Sequence, residues 1–450
     1  MSFVPKYILI LFFLITVDYF LAKSIDKRKG RDRKIFLIVS VMTNIGTLLF
    51  FKYFNFFNEN IATLVKFLHW NYSPVFLQIL LPLGLSFHVF QSLSYVIEVY
   101  KGKHKPEKNF VNYALYVMFF PQLVAGPIER PQHLLPQFNI KHNFNSLNVR
   151  RGLERMLWGF FKKLVIADQI AVIINPIFTK LPTDSPTLIF LVLIFSYQLY
   201  CDFSGYSDIA LGSAQVLGLN LKENFNRPFS ATSISDFWQR WHISLSSWLR
   251  DYLYYPLALG WGKVSRIRLY ASSIITFFLI GLWHGANWTF VIMGTMHGFY
   301  IVIGSMTLKI RQRFFDLIGL SKFPKIRHFI KVLTVYALVS ISFLFFRAEN
   351  VRQAFWIIGH LGTNISSVFS YTYLHNYFFR GLGLSKLTSS AMFISIIVME
   401  IVQYYQSKYA NFYIFDTKLK FIRYAWYYSL IMTILVFGFF GAEAFIYFKF

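Results

Sequence analysis

The sequence predicts an all-α protein that crosses a membrane about ten to eleven times, with additional re-entrant or interfacial helices. Three observations predict it. Of the 450 residues, 56% are hydrophobic and only 14% are charged, little more than half the charged share of a soluble globular chain. Apolar runs recur from one end to the other, and the length suffices for roughly ten spans of about 20 residues plus loops. Basic residues gather in short clusters between those runs, the pattern expected of loops on the cytoplasmic side.

The elements follow in order. The first run, Tyr7 to Ala22, leads into Lys23-Ser24-Ile25-Asp26-Lys27-Arg28-Lys29 with no small-residue cleavage site, so it reads as a retained helix rather than a signal peptide. Further segments fall at about 35–57, 75–97, 110–125, 153–178, 187–203, 268–284, 287–308, 327–346, 388–404 and 424–447. Basic clusters at 23–34, 150–163, 263–268, 309–331 and 408–423 are placed on the cytoplasmic side. The stretch 200–262 departs from ordinary spans, because Asp202, Asp208, Arg227, Asp236, Arg240, Arg250 and Asp251 lie among Trp and Tyr residues. Interfacial or re-entrant helices are expected there, since charges at membrane depth need water or partners. No repeat, low-complexity tract or long linker divides the chain, so residues 1–450 are expected to form a single membrane domain.

Composition also excludes function classes. A formal charge of +25 would suggest nucleic acid in a soluble protein. Here the cations sit in inter-span loops, so the expected surface partner is the lipid bilayer and no nucleic acid. A single cysteine, Cys201, excludes an internal disulfide framework and a cysteine-rich zinc cluster, and no metal site is expected. The chain carries no phosphate-binding glycine-lysine loop, no dinucleotide fingerprint, no His-Glu-x-x-His pair and no Gly-x-Ser-x-Gly elbow. Chemistry must then rest on histidines and polar residues within the membrane.

Four constellations carry that chemistry. Ile274 to Leu282 is apolar and ends in Trp283-His284-Gly285-Ala286-Asn287-Trp288, after which Thr289 to Ile303 is apolar again. Basic loops on both flanks make these two segments a hairpin turning at Gly285-Ala286-Asn287. A helix of about 17 residues rises about 25 Å, which puts His284 deep. An imidazole in an apolar setting keeps the neutral form that a general base needs; the alternative is a histidine that bonds a carbonyl and packs the turn. In the second constellation, Trp238, Trp241, His242, Leu245, Trp248, Leu249 and Tyr252 recur at helical spacing, with Arg240 on the other side. This reads as an amphipathic interfacial helix, or as one that aims His242 into a cavity. The third, Tyr200 to Asp208, supplies Asp202 and Asp208, which read as ion-pair partners for Arg227, Arg240 or Arg250. The fourth, Phe119 to Pro131, breaks an apolar segment with prolines, as a re-entrant element or a helix end. Glu98 reads as interfacial.

Taken together, Phe87-His88-Val89-Phe90-Gln91-Ser92-Leu93-Ser94-Tyr95, Pro121 to Pro131, Tyr200 to Asp208, Asn224 to Tyr255, Leu282-Trp283-His284-Gly285 and the closing Ile446-Tyr447-Phe448 resemble the membrane-bound O-acyltransferase family, in its bacterial alginate O-acetyltransferase branch. Ala231 to Trp238 looks more like that branch than the teichoic-acid D-alanyl branch. The resemblance implies helices around a central tunnel and a catalytic pair, His284 and His242. It implies acetyl-CoA as cytoplasmic donor, with no permanently bound cofactor. The acceptor would be an extracytoplasmic polysaccharide such as alginate, and periplasmic or membrane-anchored acetyltransferase partners would complete the transfer in the inner membrane. Asn287, Trp283 and Arg240 are the candidates for donor contacts. Family members usually begin with an additional hydrophobic segment or two, which implies either a shortened start here or a start codon lying upstream. Two alternatives stay open: acyl or D-alanyl transfer from a carrier protein, and a non-catalytic transporter of polymer precursors.

Overall fold

A computed structural model describes residues 7–70, 72–77, 82, 84–123, 126–181, 184–260, 262–370, 386–409, 419–441 and 445. Ile446, Tyr447 and Phe448 lie outside the described residues. The described residues are mostly helical, with no strand among them. Seven helices are long and apolar enough to cross a membrane: Tyr7–Lys27, Gly30–Phe67, Ser185–Val216, Arg266–His284, Trp288–Met306, Pro324–Arg347 and Leu387–Lys408. Other apolar segments of the sequence form shorter or interrupted helices. The segment near 110–125 is a helix from Phe110 to Met118 followed by a 3-10 turn at Phe120–Gln122, because Pro121 cannot donate to a continuing helix. The segment 153–178 is helix, a π turn at Phe161–Ala167, and helix again. The protein is a multi-pass membrane protein.

The chain divides into two compact units, residues 1–151 with 213–222, and residues 152–212 with 223–450. In the first unit, α1 (Tyr7–Lys27) packs against α2 (Gly30–Phe67) and α3 (Leu85–Tyr100). Asp18 of α1 is fully buried and accepts hydrogen bonds from Ser40 Oγ at 2.6 Å, Asn44 Nδ2 at 2.8 Å and the Ser92 hydroxyl. Three helices thus share one carboxylate, as polar side chains do where lipid offers no alternative partner. Glu98 is buried and accepts from Gln132 Nε2, so its side chain is held by protein.

The second unit contains α4 (Ser146–Phe160, from Gly152 onward), α5 (Asp168–Lys180), α6 (Ser185–Val216, through Gly212), the short helices α7 (Ile234–Arg240), α8 (Ile243–Leu249) and α9 (Tyr255–Leu259), and then α10 (Arg266–His284), α11 (Trp288–Met306), α12 (Leu308–Leu317), α13 (Pro324–Arg347), α14 (Val351–His360), α15 (Lys386–Lys408) and α16 (Lys420–Phe437). The hairpin α10–α11 forms where the sequence predicts it. A Cβ on Gly281 would stand 2.3 Å from the Phe290 carbonyl oxygen, and one on Gly294 would stand 2.3 Å from that of Phe277. Only glycine permits so close an approach of two backbones.

Residues 200–216, expected among interfacial elements, instead continue α6 as one helix. Its carboxylates do not meet Arg227, Arg240 or Arg250. Asp202 pairs with Lys163 at 2.7 Å, and Asp208 pairs with Lys162 at 2.6 Å and Arg155 at 3.0 Å. The reason is packing: a Cβ on Gly159 would lie 2.6 Å from the Gly205 carbonyl oxygen. With α4 and α6 in backbone contact, the cations of α4 and its π turn are nearest. Arg227 bonds the Ser407 hydroxyl at 3.2 Å, Arg240 bonds Asp236 at 2.6 Å and Arg250 meets Asp251 at 3.5 Å.

Candidate functional site

His284 is the last residue of α10, and Gly285 leaves the helix with extended backbone. The helix stops because the next three residues make the turn and Asn287 caps α11, its Oδ1 accepting from the Thr289 N–H at 3.0 Å. His284 is buried, with ring centroids 5.0 Å from Trp283 and 5.3 Å from Phe346. The Phe290 ring covers Gly285, where a Cβ would lie 2.3 Å from ring carbons.

The stripe from Trp238 to Tyr252 is not one helix. It breaks at Trp241-His242 into α7 and α8, and continues through a π turn at Arg250–Tyr254 into α9. Trp238, Trp241 and Trp248 are buried, not spread on an interface. The cause of the break lies outside the stripe, in Asn224 to Asn226. The Asn224 carbonyl accepts from the Ile243 N–H at 3.0 Å, and its Oδ1 accepts from the Ser244 hydroxyl at 2.7 Å and N–H at 3.3 Å. The Asn226 N–H donates to the Arg240 carbonyl at 2.9 Å. These bonds hold His242 at φ 44° and ψ 54°, a left-handed conformation costing an L-residue about 1–2 kcal/mol. Strain of this kind persists where the surroundings over-determine it, and it clusters at functional sites.

The break turns the His242 side chain into an aromatic shell. Its ring is fully buried and meets Phe203 edge-on at 4.7 Å. The Trp283 ring lies 6.2 Å from His242 and 5.0 Å from His284, so one indole stands next to both histidines. Burial pushes the His242 imidazole down to about 3 from its ordinary 6.5, because the charged form loses its hydration. It is therefore neutral at physiological pH.

Beside this shell is a cavity of about 470 Å³, lined by Trp158, Tyr200, Asn224, Phe225, Gln403 and Ser407 among others. Asn224 and Ile243, which also lines it, belong to the bracket that fixes His242. The wall is polar and paired in part: Arg155 Nη1 donates to Glu223 at 2.8 Å and its Nε to Asp208 at 3.0 Å, and Lys162 donates to the Ser204 hydroxyl at 3.0 Å, whereas Ser207 Oγ, Asn224 Nδ2 and Arg227 Nε have no hydrogen-bond partner.

Of the expected donor-contact residues, Trp283 is at the centre of the pair. Asn287 caps α11, with its Nδ2 3.5 Å from the Glu349 carbonyl, and Arg240 is tied to Asp236 and Ser230. Sequence reasoning passed over His297. It is fully buried, with Trp238 Nε1 donating to its Nδ1 at 3.2 Å, and Ser342 Oγ 2.8 Å from its Nε2. The ring stacks on Phe237 at an interplanar angle of 7°, joining α7, α11 and α13. Its signal was a histidine followed by glycine inside an otherwise apolar span.

Residues 104–318 match the membrane-bound O-acyltransferase family. The chain is 39% identical over 320 residues to a probable alginate O-acetylase of Azotobacter vinelandii, covering 71% of this chain and 61% of that protein. It is 34% identical over 388 residues to a peptidoglycan O-acetyltransferase of Helicobacter pylori, covering 80% and 71%. To a teichoic acid D-alanyltransferase of Bacillus subtilis it is 32% identical over 228 residues, covering 48% and 56%. The chain spans about three fifths of the length of the alginate relatives it matches. Both histidines fall inside the matched region, and the chain belongs to the membrane-bound O-acyltransferase family.

Proposed function

We propose that the protein is an O-acyltransferase that moves an acetyl group from a cytoplasmic thioester donor, acetyl-CoA, to a hydroxyl of an extracytoplasmic polysaccharide. The observation that carries this reading is the pair of buried histidines flanking one tryptophan beside a polar cavity. The printed functions of the relatives support the class: two are acetyl transferases and one a D-alanyl transferase, all acting on envelope or secreted polymers. Alginate and peptidoglycan are the acceptor types those names supply. The cytoplasmic membrane of a bacterium is the setting in which such a donor and acceptor lie on opposite faces, and separate acetyltransferase proteins outside it would complete delivery to the polymer.

In this reading His284 Nε2 or Nδ1 takes the proton of the acceptor hydroxyl as its oxygen attacks the thioester carbonyl carbon. The tetrahedral oxyanion collapses with cleavage of the C–S bond, and the imidazolium returns the proton to the departing thiolate. His242, neutral and fixed by its bracket, donates a hydrogen bond toward the developing oxyanion. Trp283 forms the wall between them.

The test is transfer from radiolabelled acetyl-CoA in vesicles carrying the protein with its partners and acceptor, wild type beside His284→Ala. Label reaching the acceptor at a rate at least about 100-fold lower in the variant, at equal protein level, is the expected result for a lost general base. Equal rates would remove His284 from the chemistry. A D-alanyl-loaded carrier protein offered in parallel, and labelling only from it, would move the donor to that class. Loss of polymer export rather than of acylation in the variant would point to transport.

A further inference from the structure

Helix α12 (Leu308–Leu317) connects the spans α11 and α13, so it lies at a boundary of the bilayer. None of its residues is buried by protein. Leu308, Ile310, Phe314 and Leu317, with Ile318 just beyond, are 49–84% exposed. At 100° per residue they fall on one half of the helix, and Lys309, Gln312, Arg313 and Asp316 on the other. This is the pattern of a helix lying in the membrane interface, with its apolar side uncovered by the protein itself.

Arg311 is the one charged residue on the apolar half, and it turns back to donate to the Gly304 carbonyl at 2.6 Å. Across from it, the Arg327 guanidinium lies 5.5 Å from the Phe315 ring centroid, and its buried Nε has no hydrogen-bond acceptor. Lys331, one turn further along α13, lies close enough to Arg327 and Arg311 for their charges to repel it, and none of the three is in a salt bridge with a carboxylate among the described residues. The nearby Asp316 carboxylate accepts from the Ser321 hydroxyl. Three unneutralised cations from two elements, one with an unused donor, call for an anion.

We propose that α12 and the first turns of α13 form a binding site for an anionic phospholipid, whose phosphodiester is held by Arg311, Arg327 and Lys331 while the apolar face of α12 lies among the acyl chains. A free phosphate would answer the cations but leave that apolar face in water. A lipid answers both. The inference is independent of the acyl-transfer reading, because neither histidine nor the cavity takes part.

The test is lipid retention by the purified full-length protein in detergent, measured by native mass spectrometry, with dioleoylphosphatidylglycerol against dioleoylphosphatidylcholine. Three cations at the membrane surface lead to an expected preference of about 100-fold for the anionic lipid, falling as ionic strength rises. Arg327→Gln with Lys331→Gln abolishes the preference, and Arg327→Lys, which keeps the charge and guards against a folding artefact, retains it. Phe314→Ser with Leu317→Ser lowers retention of both lipids while leaving their ratio unchanged. Equal retention of the two lipids by the wild type overturns the proposal, as does an undiminished preference in the double glutamine variant. Displacement of phosphatidylglycerol by sodium phosphate at matched ionic strength would reassign the site to a free anion.

Discussion

At the residue scale, His242 and His284 were both legible in the sequence as polar residues tolerated among aromatic and apolar neighbours, and the structure places both next to Trp283. What the sequence could not convey was the backbone at His242. Spacing of three and four reads as one helix, and the bracket that breaks it comes from Asn224, eighteen positions earlier. Local periodicity carries no information about a hydrogen bond of that range. The burial of His242 has a measurable consequence. Its folded value of about 3 lies below the 6.5 of the exposed side chain, so its stabilising contribution is complete above pH 6.5 and is lost as pH falls toward 3. At pH 5.5 the loss is about 1 kcal/mol. Thermal unfolding of the purified protein at pH 8 and pH 5.5 should show that share of acid sensitivity, and His242→Asn, which tolerates left-handed backbone, should lack it. His242→Val would instead lower stability at both pH values, because a β-branched residue resists positive φ.

At the element scale, the hairpin α10–α11 was legible because its apolar segments end in small residues, and the structure returns it within two residues of the expected bounds. The partners of Asp202 and Asp208 were assigned to the wrong arginines. The missing signal was the pair of glycines at Gly152 and Gly159 set against Gly205 and Gly212, with the same spacing of seven, which brings α4 and α6 into contact. Gly205→Ala places a Cβ 2.8 Å from the Gly159 carbonyl oxygen and should destabilise the protein by about 1–3 kcal/mol through forced separation of the helices, read as a lowered Tm in detergent. Asn224→Ala removes the acceptor of two Ser244 bonds and should cost about 1–3 kcal/mol. Acyl transfer should fall further than the stability loss accounts for, since His242 keeps only the backbone bonds of its bracket, those of the Asn224 carbonyl and the Asn226 N–H.

At the scale of the whole molecule, composition and the distribution of cations were enough to specify a multi-pass helical membrane protein, because bilayer thickness imposes long apolar runs. The number of full-length spans was harder to read: Pro121 and the π turn at Phe161–Ala167 interrupt segments whose hydropathy alone looks continuous. The basic loops flanking α10–α11 predict that Lys263 and Lys309 lie on one side of the membrane and Trp288 on the other. Single substitutions Lys263→Cys, Lys309→Cys and Trp288→Cys test this with a membrane-impermeant maleimide, against the low background of Cys201, which is fully buried. The first two should react from the same side of sealed vesicles and the third only from the opposite side. The ion pairs between α4 and α6 also bear on how the protein is made. An ionised carboxylate at the centre of a span opposes release into lipid by about 2.5–3.5 kcal/mol; α6 carries Asp202 near its middle and Asp208 closer to its end. Their cationic partners, Arg155, Lys162 and Lys163, are translated earlier. By the time α6 leaves the ribosome its counter-charges are already waiting, so chain order lets α6 enter the bilayer with its carboxylates already matched.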